Sequence, residues 1–355
     1  MRILITGGAG FVGSRLAKQF KEVDRSNNVV VLDNLKRRGS ELNLPTFKKL
    51  GIPFVHGDIR NFSDLFDLEG NFDLLVECSA EPSVLAGVNQ SPNYLLQTNL
   101  VGTLNCLEFT RARCSGLIFL STSRVYSMGP LRELPLKESA SRLELSSNSS
   151  QVGLSSKGIL ESFPTHLPRS LYGATKLCSE QVIQEYCYAY KTKAVINRCG
   201  VLAGAGQLGK VDQGFFTLWL ARHFYKQKLA YQGFGGTGKQ VRDVLHPLDL
   251  FELIQTQMNH LGTDCGLFNV GGGIERSTSL KELTGLCAEL TGNSISIESK
   301  PDTHSMDVPY YVTDFSKASQ TFGWQPQWTL QAIAREVFDW LSKEKDSLAP
   351  ILGAL

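Results

Sequence analysis

A tyrosine and a lysine four positions apart, Tyr172 and Lys176, are the side chains with the most direct potential for chemistry. Residues at this spacing on a helix share one face, so the ammonium group can lie beside the phenol. A phenol with an ordinary pKa of about 10 is a weak base at neutral pH, but a nearby cation favours the phenolate. The same spacing also fits a surface ammonium packed over an aromatic ring, so the pair needs support from elsewhere in the chain.

Hydroxyl groups that could share a proton with this phenol follow the apolar run LIFL, at Ser121, Thr122 and Ser123. The run reads as a buried strand, and parallel α/β sheets bind their ligands at the carboxyl ends of the strands. A hydroxyl placed there could orient a substrate alcohol while Tyr172 takes its proton. We therefore interpret Tyr172 as a catalytic base and Lys176 as the cation that lowers its pKa.

A dinucleotide site is predicted by the glycines Gly7, Gly10 and Gly13, which stand between a strand and a helix. Such glycines let the backbone turn tightly and approach a pyrophosphate, which the helix N-terminus stabilises. Asp33 ends the second strand, twenty positions after Gly13. Its carboxylate could accept hydrogen bonds from the ribose hydroxyls and would repel a 2′-phosphate, which favours NAD over NADP. Arg37 and Arg38 leave NADP as an alternative cofactor.

Two further segments belong at the same edge of the predicted sheet. Asp58 and Ile59 follow the third strand, where an adenine ring would lie, although Asp58 could instead cap the next helix. Ser79, Ala80 and Glu81 follow the fourth strand. The carboxyl ends of neighbouring parallel strands meet, so these residues are predicted to contribute to the cofactor site.

The elements that position these residues are buried, β-branched runs that alternate with helical stretches. This alternation predicts an α/β fold with a doubly wound, Rossmann-type parallel sheet. We predict strands at 2–6, 29–33, 53–56, 72–76, 116–121 and 193–197, and helices at 11–22, 93–112 and 172–191. Residues 1–200 are predicted to form the NAD-binding domain, including a Ser-rich loop or lid at 127–169. Residues 201–350 are predicted to form a smaller mixed α/β substrate domain, interleaved with the first.

The amino-acid composition limits the classes of protein to which the chain can belong. The chain has 355 residues, of which 42% are apolar and 20% charged, as in a globular protein with a full core. A net charge of +2 predicts neither a nucleic-acid nor a membrane partner. The eight scattered cysteines and six histidines predict free thiols in a reducing compartment and no metal site. The absence of a signal-peptide pattern in the first residues predicts a cytoplasmic protein.

Nearly the whole chain resembles one protein family. Besides the motifs above, the resemblance rests on the stretches NLVGTLN (99–105), RDVLH (242–246), FNVGG (268–272) and DFSKA…FGWQP (314–326). It is identified as a member of the extended short-chain dehydrogenase/reductases, the nucleotide-sugar epimerases and dehydratases. The resemblance implies that Thr122 is the catalytic hydroxyl and that Arg242 contacts the substrate diphosphate. Arg242 could alternatively be a structural partner of Asp243.

Site residues follow from the motifs together with this resemblance. The predicted catalytic residues are Thr122, Tyr172 and Lys176. The predicted NAD-binding residues are Gly7, Gly10, Phe11, Val12, Asp33, Asn34, Asp58, Ile59, Ser79, Ala80, Glu81, Asn99, Tyr172 and Lys176. The predicted substrate-binding residues are Thr122, Ser123, Arg124, Asp212, Gln213, Arg242 and Asp307.

Within the family, LDNLKRRG, FVHGDIRN, VDQGF and GTGKQVRDVLH resemble the 2-epimerases of CDP-sugars. The resemblance implies epimerisation by transient oxidation to a keto-sugar and re-reduction on the other face, in a homodimer or tetramer. Ser123 and Arg124 stand where the dehydratases carry Asp-Glu, which disfavours dehydration. A UDP-sugar 4-epimerase, a decarboxylase, a 4-reductase and a non-catalytic dinucleotide-binding protein remain alternatives. Glu81, Val201 and His304 depart from the family pattern, which weakens the transfer of substrate contacts.

Overall fold

The chain folds into alternating strands and helices, described here for residues 1–146, 151–209, 213–262 and 265–353 of a computed structural model. The strands are β1 (Arg2–Thr6), β2 (Asn28–Asp33), β3 (Phe54–His56), β4 (Leu74–Glu77), β5 (Leu117–Thr122), β6 (Leu136–Glu138), β7 (Leu143–Leu145), β8 (Leu154–Ser155), β9 (Gly158–Ile159), β10 (Ala194–Cys199), β11 (Val201–Leu202), β12 (Leu229–Gln232), β13 (Val241–Leu245), β14 (Gly266–Val270), β15 (Ser277–Ser279), β16 (Ile297–Lys300) and β17 (Tyr310–Tyr311).

The helices are α1 (Phe11–Val23), α2 (Leu44–Leu50), α3 (Phe62–Phe66), α4 (Asn93–Leu96), α5 (Gly102–Arg113), α6 (Met128–Arg132), α7 (Leu171–Tyr190), α8 (Phe215–Phe224), α9 (Pro247–Met258), α10 (Leu280–Thr291), α11 (Ser316–Phe322), α12 (Leu330–Lys343) and α13 (Lys345–Leu348). A π-helical turn at Gln97–Val101 joins α4 to α5. Among the described helices, none has the length and apolar character needed to cross a bilayer.

The central sheet has the strand order β14-β10-β5-β4-β1-β2-β3 within the described residues, and the neighbouring pairs from β3 to β10 are parallel. The chain starts in the middle with β1, adds β2 and β3 on one side, and then adds β4, β5 and β10 on the other. This order is the doubly wound arrangement, and the change of direction lies between β1 and β4. The predicted fold class is therefore confirmed.

One face of this sheet packs against α5 and α7. Side chains at alternate strand positions point to the same face, which places Leu75 beside Leu117 and Glu77 beside Phe119 on adjacent strands. The apolar members pack in one cluster with Leu107 of α5 and Ile183 of α7. The helix that carries Tyr172 and Lys176 is thus held by the core of the sheet.

The described residues form two compact units that each use several chain segments. Unit 1 comprises residues 1–125, 170–199 and 250–268 and contains most of the central sheet. Unit 2 comprises 126–169, 200–249 and 269–355. In unit 2, β11, β13, β15 and β17 form a small sheet, and α8, α10 and α12 share an apolar core.

The predicted domain ranges differ from these units in two segments. Residues 126–169 belong to unit 2, because the backbone of Ile159 pairs with residues 312–314. Residues 250–268 belong to unit 1, where Phe251 packs edge-on against Phe20. Long-range backbone pairing and helix packing of this kind leave no mark in local periodicity.

The Ser-rich segment is more structured than the predicted loop or lid. It contains α6, the β6–β7 hairpin and the short β8–β9 pair, while residues 147–150 lie outside the described residues. The hairpin is tied to the rest of unit 2 by the ion pair of Lys239 with Glu138 (2.7 Å) and by Ser141, whose hydroxyl donates to Glu282 (2.7 Å). These strands are only two or three residues long, too short for hydrophobic alternation to predict them.

Candidate active site

The glycine loop between β1 and α1 adopts a conformation that requires glycine at two positions. Gly7 has a φ of +64°, and a Cβ there would lie 2.6 Å from the backbone nitrogen of Ser79. A Cβ on Gly13 would lie 2.4 Å from the carbonyl oxygen of Gly7. The amide of Gly10 closes the turn onto that same oxygen at 3.1 Å, and no side chain caps α1, which begins at Phe11 and Val12. This cradle fits a pyrophosphate at the helix N-terminus.

Gly13→Ala is expected to abolish detectable NAD binding and to lower the unfolding midpoint. The added methyl group would meet backbone atoms of Gly7 and Gly8, at 2.4 and 2.6 Å, which cannot rotate away. A matched control is Gly285→Ala, within α10, where a Cβ meets nothing within 4 Å. That change should raise stability by about 0.5–1 kcal/mol. Titration calorimetry with NAD and urea unfolding check both variants, and normal NAD affinity in Gly13→Ala would contradict the assignment.

Asp33 lies directly behind the glycine loop. Its carboxylate accepts hydrogen bonds from the amides of Ala9 (3.0 Å) and Leu35 (2.8 Å). Burial raises the pKa of Asp33, and these backbone donors oppose the rise. The carboxylate therefore joins the end of β2 to the glycine loop, where it is also placed for a ribose.

The carboxylate of Asp58 interacts with neighbouring side chains and does not cap the helix that follows it. Its carboxylate accepts from Asn34 (2.8 Å) and forms an ion pair with Arg60 (2.6 Å). Burial alone would raise the pKa of Asp58, but the hydrogen bonds from Arg60 and Asn34 outweigh it and lower the pKa to about 2. The N-cap of α3 is Asn61, so the alternative in which Asp58 caps that helix is wrong. Ile59 is buried and would meet any side chain added at Gly102.

Asn99 connects the loop after β4 to α7. Its side chain accepts from the amide of Glu81 (2.7 Å), donates to the carbonyl of Glu81 (3.0 Å) and reaches the hydroxyl of Thr175 (3.3 Å). Its own carbonyl accepts from Ser179 (2.8 Å). Asn99 lies within the π-helical turn, a deviation that is frequent at functional sites. Ser79 and Ala80, half-buried, precede Glu81 in this loop.

Tyr172 and Thr122 are brought together. Tyr172 lies in the first turn of α7, where Ser170 caps the helix, and its side chain is only 9% exposed. Burial raises the pKa of Tyr172, while the neighbouring hydroxyl of Thr122 and the charge of Arg124 oppose the rise. Thr122 Oγ1 also accepts from the amide of Arg124 (3.2 Å). A phenol paired with a hydroxyl in this way can accept a proton from an alcohol placed between them.

Lys176 is buried beneath this pair, at 1% exposure. Its Nζ lies 3.9 Å from the centroid of the Phe119 ring, and within the described part of the chain it makes no hydrogen bond. Burial lowers the pKa of Lys176, whereas the carboxylates of Glu77 and Glu180 raise it. A buried ammonium with free donors is suited to hydroxyl groups of a bound ligand.

The neighbouring hydroxyl, Ser121, has a different partner. It donates to Glu180, and Glu180 also forms a hydrogen-bonded ion pair with Arg198, at 2.7–3.1 Å. Both charged side chains are nearly fully buried. The interaction fixes α7 to the ends of β5 and β10. Sequence reasoning gave Glu180 no role, although it lies four residues after Lys176 on the same helix face.

Arg242 and Asp307, two of the predicted substrate contacts, lie in unit 2. Arg242 forms an ion pair with Asp307 (2.9 Å) and donates to the carbonyl of Val308 (2.6 Å). Asp243 is buried and accepts instead from the amides of Gly273 and Thr313, so the alternative pairing of Arg242 with Asp243 is wrong. The two side chains point to opposite faces of β13.

The remaining predicted positions are less informative. Gln213 is half-buried before α8, Ser123 begins a 3₁₀ turn after β5, and Asp212 lies outside the described residues. Among the three departures from the family pattern, His304 is exposed, Val201 is half-buried in β11, and Glu81 accepts from the amide of Ser83 (3.2 Å). Among the described residues, no group of histidine, cysteine and acidic side chains is arranged to hold a metal ion.

Known proteins resemble this chain in sequence and in fold. A family model described as "NAD dependent epimerase/dehydratase family" matches residues 3–271. The chain is 30% identical to the CDP-paratose 2-epimerase of Salmonella typhi, over 96% of this chain and 99% of the relative. It is 29% identical to a UDP-glucose 4-epimerase of Corynebacterium glutamicum, over 96% of both chains. Its fold is similar to that of the Thermus thermophilus UDP-glucose 4-epimerase in complex with NAD, with a TM-score of 0.75, 25% identity, and 96% and 99% of the two chains covered.

Proposed function

Because the chain belongs to the NAD-dependent epimerase/dehydratase family, we propose that it is a nucleotide-sugar epimerase that oxidises one sugar carbon and reduces it again from the other face. NAD as the cofactor follows from the family itself. The observation that supports the chemistry most directly is the buried pair of Tyr172 and Thr122, with the ammonium of Lys176 one helical turn away.

The residues present fit NAD. The glycine loop leaves room for a pyrophosphate, Asp33 stands behind it at the end of β2, and Lys176 keeps unused donors for ribose hydroxyls. When bound, NAD+ supplies the acceptor and later the donor of a hydride. Its positive charge would also favour the phenolate of Tyr172.

The protein side chains then handle the proton. Tyr172 accepts the proton of the sugar hydroxyl and returns it after the sugar has turned, while Thr122 orients that hydroxyl. Lys176 stabilises the phenolate by its charge. Dehydration would need an acid beside Thr122, but Ser123 and Arg124 follow it. Arg124 instead lowers the pKa of Tyr172.

For the substrate, we propose a CDP-sugar, with epimerisation at C2 as in CDP-paratose (CDP-tyvelose). The full-length similarity to a CDP-paratose 2-epimerase supports this choice. Arg242 would bind the diphosphate through its guanidinium group, which suits bidentate contacts with phosphate. The guanidinium of Arg242 contacts the carboxylate of Asp307 in this structure. When substrate binds, phosphate oxygens would replace that carboxylate or bind the guanidinium together with it.

A UDP-sugar 4-epimerase is the second candidate. UDP-glucose 4-epimerases are 25–29% identical to this chain over nearly its whole length. The two candidates differ in the base and in the carbon that reacts, and both need the same Tyr172 chemistry.

We also propose that the protein is a cytoplasmic homodimer or homotetramer. Unit 1 leaves large side chains exposed on α4 and α7, among them Leu96 (38%), Tyr188 (77%) and Tyr190 (57%). Light scattering after size exclusion would measure the oligomeric state.

A panel of CDP-, UDP-, GDP- and dTDP-sugars, followed by NMR, tests the proposal. The expected result is a mixture of two epimers from a CDP-sugar, formed with catalytic NAD+ and no net change in absorbance at the nicotinamide band. Interconversion of UDP-sugars alone would select the second candidate. Stoichiometric consumption of NADH or NADPH would show a reductase and overturn the proposal.

A further inference from the structure

Glu77, the last residue of β4, is a fully buried carboxyl group for which the proposed reaction has no use. Its Oε1 accepts from the hydroxyl of Thr103 at 2.6 Å. Its Oε2 is buried without a hydrogen-bond partner among the described residues. An unsatisfied carboxyl oxygen costs free energy unless another interaction compensates it.

A cation lies on the same face of the sheet. Glu77 and Phe119 are direct neighbours on β4 and β5, so their side chains lie side by side under α5 and α7. The ammonium of Lys176 sits on the Phe119 ring, 3.9 Å from its centroid. Glu77 and Lys176 therefore share one buried environment.

Two buried carboxylates, Glu77 and Glu180, lie close enough to Lys176 to act on its charge. Glu180 already accepts hydrogen bonds from the guanidinium of Arg198, which balances its charge. Lys176 is then the cation left for Glu77. The thiols of Cys78, Cys106 and Cys199 face the same groups, and burial raises the pKa of each, which keeps them neutral.

The two groups depend on each other for their charge. Burial raises the pKa of Glu77, and Lys176 lowers it. Burial lowers the pKa of Lys176, and Glu77 raises it more than any other group does. Each would tend to be neutral alone, and each favours the ionised form of the other.

We propose that Glu77 is a positioning residue whose carboxylate keeps Lys176 in its ammonium form beside Tyr172. The inference rests on the role proposed for Lys176. It adds a buried carboxylate, contributed by β4, that supports the proposed catalytic lysine. Glu77 acts through Lys176 and does not itself touch the sugar.

The pH dependence of NAD+ affinity tests this role without a sugar substrate. Apo protein is titrated calorimetrically from pH 6 to pH 10 as wild type, Glu77→Gln and, as a control, Glu138→Gln, whose carboxylate pairs with Lys239 in unit 2. The amide preserves the acceptor for Thr103 and removes the charge. Affinity in Glu77→Gln should begin to fall about one pH unit lower than in wild type. A fall at the wild-type pH would overturn the proposal, whereas Glu138→Gln should follow wild type.

A double-variant cycle of stability provides a second, independent test. Urea midpoints are measured at pH 7.5 for wild type, Glu77→Gln, Lys176→Met and the double variant. The two single changes should each lower the midpoint, and the double variant should be more stable than their sum predicts. Additive effects would overturn the proposal, and so would a double variant less stable than that sum. If Glu77→Gln alone fails to fold, recovery of folding in the double variant supports the pairing, and its failure to recover opposes it.

These measurements stay separate from the proposed function. If no nucleotide sugar reacts, the epimerase assignment fails while NAD+ affinity and urea stability still decide the role of Glu77. If epimerisation is found and Glu77→Gln matches wild type in both tests, the inference about Glu77 fails alone.

Discussion

Tyr172→Phe is expected to lower turnover of the nucleotide sugar by a factor of about 10³. Phenylalanine keeps the ring that packs against Ala86 and Leu95, so folding should be preserved. The change removes the phenol oxygen proposed to accept the proton, beside the hydroxyl of Thr122. NAD affinity should stay within about threefold of wild type, because the glycine loop, Asp33 and Lys176 are untouched.

Initial rates by NMR and NAD titration by calorimetry check this prediction. Tyr188→Phe is a matched control on the same helix, where the side chain is 77% exposed, and it should turn over like wild type. Near-normal turnover in Tyr172→Phe would exclude the phenol as the base.

The pH dependence of turnover in the wild type tests the same role of Tyr172. Burial raises the pKa of Tyr172 in the free protein, so the phenolate is scarce at neutral pH until cofactor charge favours it. We therefore expect turnover to rise with pH on the acid side of its profile. A profile that is flat from pH 6 to pH 9 would mean that no such ionisation limits the rate.

Arg198→Met is expected to destabilise the protein by about 3–5 kcal/mol, because removing one partner leaves a buried charge unpaired. Glu180 is fully buried and accepts hydrogen bonds from this guanidinium. Ser121 would remain as its donor, but a hydroxyl does not neutralise a carboxylate. Since Glu180 lies one turn after Lys176 on α7, the loss should also displace the ammonium and weaken NAD binding.

Urea unfolding measures the effect, with Arg111→Met as the control. Arg111 pairs with Glu108 on the surface of α5, where its side chain is 45% exposed, and solvent-exposed pairs of this kind contribute little to stability. The double change Arg198→Met with Glu180→Leu removes both charges and should recover much of the stability. Equal effects of the buried and the exposed substitution would show that the buried pair does not anchor the helix.

Some of the site could be predicted from sequence because the chemistry leaves local marks. Gly7 and Gly13 are glycines because any Cβ would strike the backbone, and the motif reports that constraint. Strands buried on both faces appear as continuous apolar runs, so the order of the elements and the fold class followed. Tyr172 and Lys176 share a helix, so their proximity is a matter of spacing.

Other features of the site depend on contacts between distant segments and could not be predicted from the sequence. Sequence alone placed three hydroxyls at the end of β5, but only packing assigns Ser121 to Glu180 and Thr122 to Tyr172. Glu77 reads as the polar end of an apolar run until its burial and its neighbour Phe119 are known. The partner of Arg242 is Asp307, 65 residues away, rather than the adjacent aspartate.

Epimerisation in D₂O tests the central claim, transient oxidation at one sugar carbon, most directly. The wild type is allowed to bring its nucleotide sugar to equilibrium in D₂O, and both epimers are analysed by mass spectrometry and ¹H NMR. A hydride that leaves the carbon and returns to it does not exchange with solvent, so neither epimer should gain deuterium at the inverted carbon. Incorporation of one deuterium there would show removal of a proton from carbon and would contradict the proposed chemistry.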